Sequence, residues 1–259
     1  MIRADFHVHT SYCDGKNTPE EMVLAAIEKG MDAIGFSGHS HLAFDDSWCM
    51  SLPGTEAYRA EIRRLKEKYA GQIRIICGVE QDIYSDTEPE GYDYVIGAVH
   101  CVLRDGEFLS VDDTPEALKK AVREHYSGDY YAFAEDYYRT VSRVCAVTKC
   151  DVIAHFDLIT KFNENGTLFD ENHPRYVAAW QAAADALLAC GKPFEINTGA
   201  MARGYRSAPY PSAPILRYLT DRGASFILSG DAHSTEGLCF AFATLADMKN
   251  LIIPVWQQT

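Results

Sequence analysis

The chain alternates short apolar runs with longer stretches in which apolar residues recur every three or four positions. Short runs are typical of buried strands, and the periodic stretches are typical of amphipathic helices. The apolar runs predict seven strands, at 4–8, 33–37, 73–79, 94–99, 152–155, 194–197 and 225–228. The periodic stretches predict helices at 19–29, 56–69, 174–190, 211–221 and 234–248, and a mainly helical region from 114 to about 148.

The helix starts carry recognisable capping residues. Thr18 is a suitable N-cap, Pro19 fits the first turn, and the two acidic residues that follow face the positive end of the helix dipole. Gly30 ends this helix, and Thr114-Pro115 repeats the start signal. Strands that alternate with helices favour parallel strands joined by right-handed crossovers.

Several histidines and acidic residues fall at or just past the C-terminal ends of predicted strands. This is where a (β/α) barrel places its active site. A doubly wound open sheet is the alternative architecture, but gathering six strand ends around one point favours the barrel. We therefore expect an α/β fold, with one barrel domain over residues 1–259 and the active site at the C-terminal ends of the strands.

The charge balance restricts the partners that the protein can bind. The chain has 37 acidic and 24 basic residues, which gives a formal net charge of −13. Such a surface repels nucleic acid, because affinity for the phosphate backbone comes mostly from Lys and Arg. Bound cations can reverse the field locally, so a small anionic substrate remains compatible with this composition.

The sequence also bears on location. No apolar run reaches the roughly 18 to 20 residues that a membrane helix needs, and the first residues enter a motif at once, which leaves no room for a signal peptide. The eight cysteines form no Cys-x-x-Cys pair. We therefore expect a cytoplasmic protein with free thiols and no membrane partner.

The histidines provide the strongest indication of chemistry. His7 and His9 are two residues apart in a predicted strand, so both imidazoles should point to the same side. Neutral imidazole and carboxylate ligands suit Zn, Mn and Fe. The Gly-x-Ser-x-Gly elbow of serine hydrolases and the Gly-rich phosphate loop of nucleotide-binding proteins are both missing. The pattern therefore indicates a metal site.

The motifs resemble, in order and spacing, those of the polymerase-and-histidinol-phosphatase (PHP) superfamily. The segments that carry this resemblance are Asp5-Phe6-His7-Val8-His9-Thr10, Gly38-His39, Glu80, His100, His155 and Asp231-Ala232-His233. Within the superfamily, the chain is most similar to the histidinol-phosphate phosphatases. The segments that support this branch include Ile96-Gly97-Ala98-Val99-His100, His155-Phe156-Asp157-Leu158-Ile159, Glu195-Ile196-Asn197-Thr198, Arg203-Gly204 and Tyr210-Pro211-Ser212.

The resemblance implies a distorted (β/α)7 barrel that holds three divalent metal ions, Zn, Mn or Fe. It assigns the ligands as His7, His9, Glu80 and Asp231 for the first ion, the bridging Glu80 with His100 and His155 for the second, and His39, His233 and one further residue for the third. Many relatives have histidine at that last position, whereas this chain offers Asp14, which could instead only start the Asp-Gly turn. We expect Asp14 to be the ligand.

Three divalent ions bring six positive charges, and the carboxylates of Asp14, Glu80 and Asp231 return three negative ones. The remaining positive charge suits a phosphate monoester, which carries about −1.5 to −2 near pH 7. We hypothesise that a metal-activated hydroxide attacks phosphorus, and that Asp231 or His233 protonates the departing alkoxide. L-histidinol phosphate is the substrate that the resemblance implies.

Cations near the strand ends are candidates to bind the phosphate. Arg203 could hold it with two hydrogen bonds, Lys161 could contribute likewise, and His41 could line the pocket. Arg203 and Lys161 could instead be two solvated surface cations, and Arg206 could replace Arg203 if the loop is shifted.

Two other functions stay open at this stage. One is a phosphodiesterase or exonuclease that acts on nucleotides or short oligonucleotides, as in other branches of the superfamily. The other is a non-catalytic metal-binding domain.

Overall fold

The computed structural model describes residues 3–245 of the 259-residue chain. The strands are β1 (Ala4–Asp5), β2 (Ala33–Phe36), β3 (Arg74–Asp82), β4 (Tyr94–Ala98), β5 (Cys101–Arg104), β6 (Glu107–Ser110), β7 (Val152–Ile153), β8 (Phe194–Asn197) and β9 (Phe226–Ser229). The helices are α1 (Pro19–Glu28), α2 (Leu52–Lys68), α3 (Pro115–Tyr126), α4 (Tyr130–Val141), α5 (Val144–Thr148), α6 (Pro174–Leu188), α7 (Gly199–Ala202) and α8 (Ala213–Asp221).

Seven parallel strands form the central sheet, in the order β1-β2-β3-β4-β7-β8-β9. The chain just beyond β1 pairs with the chain just beyond β9: His9 N donates to Ala232 O, and Ala232 N donates to His7 O, both at 2.9 Å. These two hydrogen bonds connect the first and last strands and nearly close the sheet on itself. The predicted distorted (β/α)7 barrel is confirmed.

The hydrophobic residues form two separate groups. A large group packs the outer faces of the strands against the helices. A small group lies on the other face of the strands, where alternate residues such as Tyr94, Ile96 and Ala98 point to the same side. Tyr94 Oη lies 2.6 Å from Phe6 O. The barrel is therefore filled with apolar side chains away from its C-terminal end.

The two-stranded hairpin of β5 and β6 was not predicted. Its turn consists of Asp105 and Gly106, both in the left-handed region, with φ of 52° and 84°. An Asp-Gly pair is the residue pair that two-residue hairpin turns prefer, so the signal was present in the sequence. The hairpin brings Phe108 into the wall of the cavity described below.

Several predicted elements differ from the structure in their bounds, and the first strand, the second helix and the last helix show this most clearly. β1 is shorter than the predicted strand 4–8. The second helix begins at Leu52 instead of residue 56, because Ser51 Oγ accepts a hydrogen bond from Gly54 N at 3.1 Å. The predicted closing helix 234–248 is wrong over residues 234–245, where a 3₁₀ turn is followed by Cys239 and Ala241 with φ of 54° and 58°. Residues 246–248 lie outside the described range.

No helix within residues 3–245 is long and apolar enough to span a membrane. All eight cysteines of the chain are free thiols. The Sγ atoms of Cys145 and Cys150 lie 3.8 Å apart.

Candidate metal centre

The nine residues predicted as metal ligands converge at the C-terminal ends of the barrel strands. They come from seven separate segments of the chain, and most of them are buried. These residues are His7, His9, Asp14, His39, Glu80, His100, His155, Asp231 and His233.

Glu80, near the end of β3, lies at the middle of this cluster. Its Oε2 atom is 3.2 Å from His7 Nε2, 3.4 Å from His9 Nε2 and 3.0 Å from His39 Nδ1. The predicted same-side arrangement of His7 and His9 is therefore confirmed, since both Nε2 atoms face one carboxylate oxygen. His7, His9 and Glu80 form one group of donors close enough to share an ion.

The other oxygen of Glu80 faces two further imidazoles. Oε1 lies 2.9 Å from His155 Nε2 and 3.4 Å from His100 Nε2. Glu80 thus faces one set of histidines through each oxygen, and it could bridge two ions if they were bound there. His39 also approaches this region and forms a second compact donor group with Glu80 and His100.

A third donor group surrounds Asp14. Its Oδ1 lies 3.7 Å from His9 Nδ1 and 3.6 Å from His39 Nε2, and its Oδ2 lies 3.1 Å from His233 Nε2. His9 and His39 therefore each face two of the three groups, one with each ring nitrogen. The resemblance had assigned each of them to a single ion.

Asp231 also faces the histidines of the first group. Its Oδ1 lies 3.3 Å from His9 Nε2 and 3.8 Å from His7 Nε2. Gly199 makes room for this side chain, because a Cβ at that position would lie 2.6 Å from Asp231 Oδ2. Asp231 itself adopts a left-handed φ of 47°, which is uncommon for a residue other than glycine.

Three buried atoms at the centre of the cluster lack hydrogen-bond partners among residues 3–245: His7 Nε2, His9 Nε2 and Glu80 Oε2. A buried polar group left without a partner costs about 1 to 3 kcal/mol, so a fold rarely brings three of them to one point. A divalent cation would satisfy all three, and imidazole with carboxylate is a donor set that Zn, Mn and Fe accept. The residues present fit a metal centre.

The protonation states of the buried groups determine which of them can bind a cation directly. Burial raises the pKa of Glu80, but His39, His7 and His100 outweigh burial and hold it well below its ordinary value. Burial lowers the pKa of His9 to about 3, with further lowering by His233 and His39. Glu80 is therefore ionised and His9 neutral, which are the forms that bind metal. Burial lowers the pKa of His7 and of His100, but the carboxylates that face these rings outweigh burial and raise it, so metal binding there would release protons.

Two carboxylates behind the cluster were not predicted as functional residues. Glu195 Oε1 lies 2.6 Å from His7 Nδ1, and Asp82 Oδ2 lies 2.9 Å from His100 Nδ1. A carboxylate at Nδ1 fixes the imidazole so that Nε2 is free to bind a metal. The available signal was an acidic residue within a buried strand, as in Phe194–Asn197 and Arg74–Asp82.

A cavity of about 570 Å³ opens above the cluster. Lys161 and Arg203 both line it, as their predicted role requires. Arg203 donates to Asp231 O at 2.9 Å and to Asp231 Oδ2 at 3.1 Å, so its guanidinium is held beside the donor groups. Trp48 also lines the cavity and packs edge-on against His39, with ring centroids 4.7 Å apart.

Two other candidate residues lie elsewhere. His41 does not line the cavity, which corrects the expectation for it: its Nδ1 lies 2.8 Å from Asp86 Oδ1, and this contact holds the ring. Arg206 is also absent from the cavity wall. Its Nη1 donates to Thr160 O at 2.7 Å and its Nε lies 3.2 Å from Glu164 Oε2, so it supports a loop.

Comparison with known proteins identifies the class of this fold and site. The profile of the PHP domain matches residues 5–199. The chain belongs to the PHP family, and within it to the histidinol-phosphatase branch.

Two curated relatives illustrate this branch. The protein named probable histidinol-phosphatase in Deinococcus radiodurans is 30% identical, over 92% of this chain and 89% of the relative. The histidinol-phosphatase of Bacillus subtilis is 26% identical, over 93% of this chain and 97% of the relative.

Solved structures share the fold. A candidate histidinol phosphatase from Listeria monocytogenes superimposes with a TM-score of 0.79 at 20% identity, covering 93% of this chain and 99% of the other. The histidinol phosphate phosphatase of Lactococcus lactis, solved with Zn, L-histidinol and phosphate, gives a TM-score of 0.61 at 21% identity, covering 90% and 87%. At this level of identity, the likeness shows a common barrel.

Proposed function

We propose that this protein is a metal-dependent phosphate monoester hydrolase that converts L-histidinol phosphate and water to L-histidinol and phosphate, a step of histidine biosynthesis. The observation that carries the proposal is the convergence of His7 Nε2, His9 Nε2 and Glu80 Oε2, without hydrogen-bond partners among residues 3–245, beneath an open cavity. The curated relatives named histidinol-phosphatase support the choice of substrate.

The three donor groups would hold three divalent ions, with Zn, Mn and Fe all compatible with the ligands. Glu80 would bridge two of the sites, and Asp14, His39 and His233 would form the third. When bound, such ions polarise phosphate oxygens and lower the pKa of a coordinated water toward about 7.

Side chains in the cavity would bind the phosphate and supply the proton for the leaving group. Arg203 and Lys161 would bind and orient the phosphate at the cavity wall, where their positive charges offset the charge that builds up during the reaction. Asp231 and His233 are the candidates to deliver a proton to the departing alkoxide. Burial raises the pKa of Asp231, but Arg203 and His7 outweigh burial and hold it well below its ordinary value. His233 could donate a proton only while its Nε2 is protonated and not bound to a metal, because Arg203 Nη1 lies 2.8 Å from its Nδ1 and that nitrogen must accept.

Turnover measurements with three substrates test the proposal. We expect phosphate release from L-histidinol phosphate with Mn or Zn supplied, and little hydrolysis of bis-p-nitrophenyl phosphate or a short oligonucleotide. Preference for the diester or the oligonucleotide would instead favour a phosphodiesterase or exonuclease, and metal binding without any turnover would favour a non-catalytic domain. The variant Glu80→Gln, prepared in parallel, controls for contaminating phosphatases.

The formal charge of −13 supports a small substrate over long nucleic acid. We further propose that one domain spans residues 1–259 and that the enzyme acts in the cytoplasm. The seven-stranded barrel and the eight free cysteines support these proposals.

A further inference from the structure

Asp112 is a carboxylate in the cavity wall that belongs to none of the three donor groups. It follows β6, where the hydrogen bond from Val111 N to His100 O, at 2.9 Å, holds the chain beside the metal centre. Burial raises the pKa of Asp112, but Lys161, His100 and His155 outweigh burial and leave it below its ordinary value. The cavity therefore contains a negative charge that is not part of the predicted ligand set.

One oxygen of this carboxylate is available to a ligand. Lys161 Nζ donates to the backbone oxygen of Asp112 at 2.6 Å and lies 3.3 Å from its Oδ2. Asp112 Oδ1 accepts no hydrogen bond from the residues that the structure describes. The side chain is 23% exposed, on the wall of the cavity.

A free carboxylate beside a phosphate site repels the phosphate unless the substrate also carries a cation. L-histidinol phosphate carries one, because its ammonium group is on the carbon next to the phosphorylated carbon. Only four bonds separate the phosphorus from this nitrogen, so the two groups stay close together. Asp112 and Lys161, in contact with each other, place an anion and a cation similarly close together in the cavity wall.

We propose that Asp112 binds the α-ammonium group of the substrate through Oδ1, while Lys161 binds its phosphate. The inference rests on the proposed phosphatase function and deepens it by naming a residue that determines specificity. Asp112 selects esters of 2-amino alcohols and disfavours phosphate monoesters that lack the ammonium group.

The test combines the variant Asp112→Asn with three substrates. These are L-histidinol phosphate, its analogue without the amino group (3-(imidazol-4-yl)propyl phosphate), and L-phenylalaninol phosphate, which keeps the ammonium and lacks the imidazole. We expect Asp112→Asn to lower kcat/KM by about 10- to 100-fold for the two ammonium substrates, as for loss of a hydrogen bond to a charged group. For the analogue without the amino group, kcat/KM should stay the same or rise.

Asp221→Asn is the matched control, since it removes the same charge from an exposed residue at the end of α8 that does not line the cavity. It should change kcat/KM for all three substrates by less than about twofold, as expected for a screened surface charge. Metal content and thermal unfolding of both variants, measured alongside, should equal those of the wild type.

Three outcomes would overturn the inference. In the first, Asp112→Asn lowers kcat/KM equally for all substrates, which would mean that the residue only positions Lys161. In the second, it affects the imidazole substrates alone, which would place the imidazole at Asp112. In the third, it changes nothing while the wild type hydrolyses L-histidinol phosphate. A wild-type protein that releases no phosphate from any of them would overturn the proposed function itself, and the inference with it.

Discussion

Two buried polar clusters of this protein differ in how their polar atoms are satisfied. Between α4 and α6, Tyr138 Oη and Tyr176 Oη lie 2.8 Å apart, and Tyr137 Oη donates to Phe156 O at 3.3 Å. At the strand ends, by contrast, His7 Nε2 and its two neighbours converge without hydrogen bonds from residues 3–245. Buried polar atoms that hydrogen-bond to one another stabilise the fold, whereas converging polar atoms without such partners indicate a ligand-binding site.

The two clusters are adjacent in the chain. Phe156, which accepts the hydrogen bond from Tyr137, directly follows His155 of the metal centre. We therefore expect substitutions in the metal centre to lower activity, and substitutions in the tyrosine cluster (Tyr137, Tyr138 and Tyr176) to lower stability.

The largest effect is expected for Glu80→Gln. The substitution removes the charge of a carboxylate that contacts five histidines, and we expect a loss of bound metal together with a fall in kcat/KM of about 1,000-fold or more. Elemental analysis and phosphate release provide the measurements. Glu88→Gln, at an exposed position, makes the same chemical change and should behave as the wild type. A Glu80→Gln protein with normal metal content and turnover would remove Glu80 from the site.

Glu195→Gln should have a smaller effect on the same cluster. It weakens the hydrogen bond that orients His7, and loss of such an outer partner typically lowers metal affinity or activity by about 10- to 100-fold. Competition with a chelator gives the affinity. Saturating metal should restore much of the activity, and failure of this rescue would argue that Glu195 acts on the substrate.

Arg203→Ala tests the phosphate contact. Because a guanidinium binds phosphate through charge-assisted hydrogen bonds, we expect KM to rise by about 10-fold or more with a much smaller change in metal content. Arg203→Lys should recover part of the loss. An unchanged KM would show that Arg203 only supports Asp231, to which it also donates.

Tyr138→Phe should have the smallest effect, and only on stability. It leaves the hydroxyl of Tyr176 without its partner, which should lower the free energy of unfolding by about 1 kcal/mol. Denaturant unfolding measures the loss, while kcat/KM should equal that of the wild type. A large loss of activity at unchanged stability would contradict the structural role of the tyrosine cluster.

Much of the barrel could be predicted from the sequence, because strand and helix periods are short-range patterns, whereas the ligand set was implied by the resemblance to the PHP superfamily. The strand period places His7 and His9 on one side, and the C-terminal ends of parallel strands meet around one point. The contacts of the His9 and His39 rings were less predictable. Each ring faces one donor group with Nδ1 and another with Nε2, and this arrangement depends on how the ring is oriented in the folded chain.

The outer carboxylates and the cavity wall were harder to predict for the same reason. Glu195 contacts His7 from a strand 188 residues away in the chain, so no local pattern relates them. Asp112 and Trp48 come from loops whose course is set by tertiary contacts. The β5–β6 hairpin is different, because its turn residues, Asp105-Gly106, are a local sequence signal for a two-residue hairpin turn.

We expect the donor atoms at the strand ends that have no hydrogen-bond partner among residues 3–245 to hold catalytic metal ions. To test this, the metal-free protein is prepared with a chelator, Mn or Zn is added back in steps, and bound ions per chain are followed together with phosphate release from L-histidinol phosphate. We expect a folded, inactive apoprotein whose activity returns as the ions bind, up to three per chain. Full activity of protein that contains no metal would contradict this expectation.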